Sequence, residues 1–155
     1  MINEFKSYHG SAFADLIDES AVPIKLFRPK LLNNSYYLLD DEIAFYVKHS
    51  TKRLTPWRFT FHADHVQDLA QILHEHEMCF LVLICGRDSI AVIDKDEIIK
   101  LLPIANPSLS WVSVQTSHNT SLTVEGTSGV LKRKLRKSKP FWKVKELLML
   151  RHSEQ

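Results

Sequence analysis

Residues 57–85 read WRFTFHADHVQDLAQILHEHEMCFLVLIC, and the hydrophobic period changes twice within them. Trp57, Phe59 and Phe61 alternate with Arg58 and Thr60, the period-two pattern of a half-buried strand. Between residues 63 and 76, Val66, Leu69, Ala70, Ile72 and Leu73 recur at helical spacing, which predicts an amphipathic helix lying across a sheet. Residues 79–85 are then apolar at every position, the signature of a central strand covered on both faces. The predicted class is α+β, a mixed central sheet with helices packed on it.

Upstream, residues 11–19 begin with a capping-type Ser11 and place Phe13, Leu16 and Ile17 at helical spacing, so a short helix is expected. Pro23 closes it, residues 24–27 suit a short strand, and residues 29–34 read as a loop. Residues 36–39 and 43–48, rich in aromatic and β-branched side chains, flank Asp40, Asp41 and Glu42 and predict a β-hairpin. Downstream, Gly86, Arg87 and Asp88 turn the chain into a strand at residues 90–93. Asp94 with Glu97 has the spacing of a capping box opening a helix through about Leu102. Strands at 111–114 and 122–124, a turn at 126–129 and a helix at 141–151 complete the prediction. Phe141, Val144, Leu147, Leu148 and Leu150 form the apolar side of that last helix.

A chain of 155 residues, 45% hydrophobic and 25% charged, fits one globular domain. Residues 1–130 form the α+β body, and residues 131–155 a basic segment and C-terminal amphipathic helix expected to belong to the same domain. The longest apolar run, residues 78–85, falls well short of the about 20 residues a membrane helix needs. The N-terminus shows no basic stretch followed by an apolar one, so no secretory signal is readable. Cys79 and Cys85 share one apolar strand, about 20 Å apart, too far for a disulfide. They are expected to be free core thiols, which suits a reducing, cytoplasmic setting.

Charge is unevenly distributed. Residues 131–155 hold nine Lys or Arg against Glu146 and Glu154, whereas residues 1–130 hold eleven basic and sixteen acidic residues. A weakly acidic body with a basic end points to an anionic partner. Lys132, Arg133, Lys134, Arg136 and Lys137 are the natural phosphate contacts, and each phosphate neutralised releases counterions. A second candidate segment, residues 49–58, combines hydroxyls with Lys52, Arg53, Trp57 and Arg58. Such a set can hold phosphates and stack a base on the indole. The competing reading buries Trp57 at the end of the core and leaves the charges to solvate the loop.

The order helix, three strands, helix, central strand over residues 11–90 resembles the PD-(D/E)XK, or restriction-endonuclease-like, family. In that family an acid near the end of one strand and an acid-x-Lys triplet on the next hold a divalent metal. The resemblance implies Asp41 (or Asp40) as the first acid and metal ligand, and Lys48 as the catalytic lysine, with Mg or Mn as cofactor. The position two before Lys48, where the family carries an acid, is Tyr46, and a phenol does not replace a carboxylate as a hard-metal ligand. Read without the family, Asp40, Asp41 and Glu42 are a polar hairpin turn and Lys48 a solvated strand end.

The eight histidines give no metal pattern. His62 lies about 18 Å along the same predicted helix from His74, so one site cannot use both the His62/His65 and the His74/His76 pairs directly, and no cysteine is close enough in sequence to complete a zinc site. No nucleophile elbow and no glycine-rich phosphate loop is present. Three readings follow: a nucleic-acid-associated protein with an incomplete nuclease-like core, a metal-dependent nuclease, or a module that docks on a protein partner or a second copy through residues 141–151.

Overall fold

The computed structural model describes residues 2–30 and 35–154, so part of the expected 29–34 loop lies outside the described residues. In chain order the elements are α1 (Glu4–Glu19), β1 (Leu26–Phe27), β2 (Tyr36–Leu39), β3 (Ile43–Ser50), β4 (Trp57–Phe61), α2 (Ala63–Glu75) and β5 (Met78–Cys85). They continue with β6 (Ser89–Asp94), α3 (Lys95–Leu101), β7 (Ser110–Ser117), β8 (Ser121–Gly126), β9 (Gly129–Val130), β10 (Leu135–Arg136) and α4 (Trp142–Ser153). The α+β class is as the sequence predicts.

Strand β5 lies inside a mixed sheet of order β1-β2-β3-β5-β6. It pairs parallel with β3 and antiparallel with β6, as its two-sided apolarity requires. On one face Phe45, Val47, Phe80, Val82 and Ile84 pack against Ala12 and Leu16 of α1 and Val144 and Leu148 of α4. On the other, Ala44, Tyr46, Leu81, Leu83 and Cys85 meet α2, α3 and a second sheet. That second sheet, of order β10-β8-β7-β4 with β9 beside β8, is antiparallel throughout.

The sequence predicts one central sheet with β4 as a third strand after the hairpin, and the structure has two sheets instead. Strand β4 pairs with β7 in the second sheet, and its alternation serves that purpose: Trp57, Phe59 and Phe61 are buried while Arg58 and Thr60 face out. The first helix is longer than expected, starting at Glu4, and Ser11 lies within it, donating to the Ser7 carbonyl rather than capping. The expected strand at 24–27 shrinks to Leu26–Phe27. The capping box at Asp94 and Glu97 is formed in full. Asp40 and Asp41 take φ of 51° and 63° in the hairpin turn, a conformation Asp tolerates better than most side chains.

The apolar side of the C-terminal helix is divided, part of it packing on the first sheet while Leu150 stays exposed. Phe141, Val144 and Leu148 are spent on the first sheet, and the Phe141 amide donates to the Glu19 carboxylate of α1 at 3.1 Å. This sets the expected cost of substitutions along α4. Leu148→Ala, at a fully buried position, should cost about 2–5 kcal/mol, whereas Leu150→Ala, 60% exposed, should stay within about 0.5 kcal/mol. Urea denaturation of both variants checks this, and equal or reversed costs would mean that α4 does not dock as described.

Candidate nucleic-acid interface

Strands β3 and β5 run in register, Ser50 opposite Cys85, so their carboxyl ends are level. The outer side of such an edge is where open sheets with parallel strands place their ligands. Two connections leave from it, the 51–56 loop after β3 and the Gly86–Asp88 turn after β5.

Both are tightly held. The Gly86 amide donates to Ser50 O at 2.9 Å, Trp57 Nε1 donates to Lys52 O at 2.9 Å, and the Thr116 amide donates to Thr55 Oγ1 at 2.8 Å. Lys52 Nζ folds back onto Pro56 O at 2.8 Å. Gly86 has φ +58°, and a Cβ there would stand 2.4 Å from Lys52 O, so only glycine lets turn and loop approach this closely. The loop is a rigid platform that displays Arg53, and the turn displays Arg87. Both arginines are exposed, and among the described residues neither has a hydrogen-bond or ion-pair partner.

The basic segment reaches the same edge. From Leu131, whose amide donates to Val124 O, the chain follows β8 through β10 until the Lys137 amide donates to Thr120 O. Lys137 Nζ then closes on Asp88 Oδ2 at 2.9 Å. Lys132, Lys134 and Arg136 are exposed along this run. The result is a stripe of positive charge along the edge of the second sheet that ends beside Arg87, Lys52 and Arg53. Lys52, Arg53, Arg87 and Asp88 line one cleft there, and Arg87, Asp88 and Lys137 enter a second, of about 440 Å³, on the α1 side of the turn.

Other residues singled out from the sequence have different uses. Trp57 is 1% exposed, its ring in the core and its N–H satisfied, so it stacks no base. Arg133 is bound by Glu97 at 2.9 and 3.1 Å and fastens the basic segment to α3. Arg58 lies over Trp111 at 4.5 Å, away from the stripe. Asp41 pairs with Lys25 at 3.1 Å at the start of β3, while Lys48 stands near its far end. The five steps of strand from Ile43 to Lys48 span about 17 Å, and Tyr46 between them points into the core. The structure therefore does not bring Asp41 and Lys48 together. Lys48 instead donates to Thr60 O and sits 4.4 Å over the Phe61 ring, where burial lowers its pKa to about 8. Among the described residues no three His, Cys, Asp or Glu side chains gather in a way that could hold a metal ion.

A polar cluster with no local sequence signal backs this end of the first sheet. Arg28 Nη2 donates to the Tyr37 hydroxyl at 2.5 Å, and that hydroxyl lies 2.8 Å from Nδ1 of buried His9. His49 stands edge-on to His9, stacks on Tyr8 at 4.6 Å and reaches Glu4 at 3.3 Å. Burial, with His49 and Arg28 nearby, pushes the His9 pKa down to about 4. Its members come from residues 4–49 and meet only through folding.

No family model matches the chain, and comparison with curated proteins and with solved structures returns no match. No described helix is long and apolar enough to cross a membrane.

The buried imidazole makes stability depend on pH with a defined sign. His9 ordinarily titrates near 6.5, and folded it titrates at about 4, so between those values the unfolded chain binds the extra proton. Stability should fall as pH drops from about 6.5 towards 4, and His9→Gln should flatten that part of the curve. Lys48, displaced from 10.5 to about 8, gives the same sense at higher pH: stability should rise between about 8 and 10.5, and Lys48→Met should remove the rise. Denaturant midpoints at stepped pH test both slopes.

Proposed function

We propose that the chain binds nucleic acid through the cationic stripe that runs from Lys132 to the Arg87 turn and the Lys52–Arg53 loop. One observation carries this reading. Cations from three segments distant in sequence meet at one edge, while Arg53 and Arg87 lack partners among the described residues. Exposed arginines held on a rigid backbone cost energy through mutual repulsion, and an anionic polymer relieves it. Phosphates spaced along a strand match cations spaced along a sheet edge, and such contacts carry no base preference. The stripe therefore supports broad affinity for the backbone rather than recognition of one sequence.

Binding, not cleavage, is the activity proposed. On this reading the restriction-endonuclease-like resemblance describes a core with an incomplete catalytic set, since Tyr46 occupies the position of an acid and Asp41 is about a strand length from Lys48.

Fluorescence polarisation with labelled single- and double-stranded DNA and RNA across a salt series tests the proposal. Affinity should fall steeply with salt, with a log–log slope of about −0.7 to −0.9 per phosphate contacted. The Arg53→Glu/Arg87→Glu pair should weaken binding at least tenfold and reduce the slope. Lys100→Glu on α3 should change little. Absence of binding at low salt would overturn the proposal, and cleavage in a parallel series with magnesium or manganese would replace it with a nuclease.

A further inference from the structure

We propose that the cleft between α1 and the Gly86–Ser89 turn is a pocket for one phosphorylated nucleoside, with its phosphate at Arg87 and Lys137 and its sugar and base along Ser7, Ser11 and Asp15. The inference rests on the nucleic-acid reading and narrows it, by giving the stripe a place to end.

The cleft measures about 440 Å³, within the range of about 300–1,000 Å³ usual for small-molecule sites. It lies beyond the carboxyl ends of the parallel pair β3 and β5, with Ile84, Ile90 and Pro140 among its lining. Its walls differ in chemistry. Ser7, Ser11 and Asp15 come from α1 at intervals of four, so they form one line along the helix where it borders the cleft. They offer a carboxylate and two hydroxyls, of which that of Ser11 already donates to the Ser7 carbonyl and is left to accept. An ionised carboxylate only accepts hydrogen bonds, which suits ribose hydroxyls or an exocyclic amine and repels phosphate. The opposite side carries Arg87 and Lys137. Asp88 also stands there, but its charge is matched by Lys137 at 2.9 Å, and Arg87 leaves that side net positive. A ligand with an anionic end and a hydroxyl-rich, hydrogen-bond-donating end fits this polarity in one orientation. A bare phosphate would use one wall only, and so would an uncharged nucleoside.

The phosphorylated nucleoside has two sources, a free mononucleotide or the phosphorylated end of a strand held on the stripe. Titrations of the full chain with AMP, adenosine and inorganic phosphate, followed by NMR or calorimetry, address the pocket directly. Polarisation with oligonucleotides carrying a 5′-phosphate, a 3′-phosphate or no terminal phosphate addresses the strand end. AMP should bind at least tenfold more tightly than adenosine or phosphate. Asp15→Asn and Ser11→Leu, both at exposed helical positions, should each weaken AMP at least fivefold without altering the affinity of an unphosphorylated oligonucleotide. If a terminal phosphate also strengthens oligonucleotide binding, and Ser11→Leu abolishes the gain, the occupant is a strand end. If AMP binds and the terminal phosphate has no effect, it is a free nucleotide. Intact, salt-sensitive oligonucleotide binding with no response to AMP or to either terminal phosphate would overturn the pocket and leave the stripe standing. AMP binding without any oligonucleotide affinity would do the reverse.

Discussion

The apolar run Met78–Cys85 must be shielded from water on both faces, and the rest of the molecule is arranged around that requirement. A strand with Phe80, Val82 and Ile84 on one side and Cys79, Leu81, Leu83 and Cys85 on the other has no face to give to solvent. At about 25 cal/mol per Å² of apolar area, leaving either side open would forfeit several side chains' worth of stabilisation. One side takes α1 and α4, from opposite ends of the chain. The other takes α2, α3 and a complete second sheet. Covering β5 twice brings residues 4–19 and 142–153 together across one face, where the Glu19 carboxylate meets the Phe141 amide.

The same demand sorts the cations. To return α4 to the first sheet, the basic segment has to cross from the end of the second sheet, and acids at the start of α3 fasten it. Buried Glu97 receives Arg133, and Lys143 reaches both Asp94, at 2.5 Å, and Glu97. Arg151 pairs with Glu42 at the far end of α4. These charges serve the fold, because an acid held inside a protein needs its partner close by. Lys132, Lys134 and Arg136, which take no part in these ion pairs, remain on the surface. A basic stretch that looks uniform in sequence is thus divided into residues that anchor and residues that display.

Much of the fold is readable locally. The capping box at Asp94, the period of α2, the hairpin at Asp40–Glu42 and the burial of β5 each follow from neighbours in sequence, and all are present in the structure. The candidate site is only half readable. Lys52, Arg53 and Lys132–Lys137 stand out by charge, but Arg87 looks like an ordinary turn residue until the basic segment arrives beside it. Trp57 reads as a stacking platform or as a core plug, because a single aromatic at a strand start carries no information about what covers it. His9, Arg28 and Tyr37 leave no trace at all, since no motif links positions so far apart.

By itself the sequence determined the local conformations, the two-sided burial of one strand, and the excess of positive charge in the last 25 residues. These are properties of a residue and its near neighbours, set by backbone sterics, side-chain period and ionisation. Tertiary structure alone decided that β4 leaves the first sheet for the second, that Lys48 and Asp41 stay apart, and that Arg53, Arg87 and the basic segment share one edge. Those outcomes depend on which distant segments meet when both faces of β5 are covered, and the free energy that selects them is spread over the whole core.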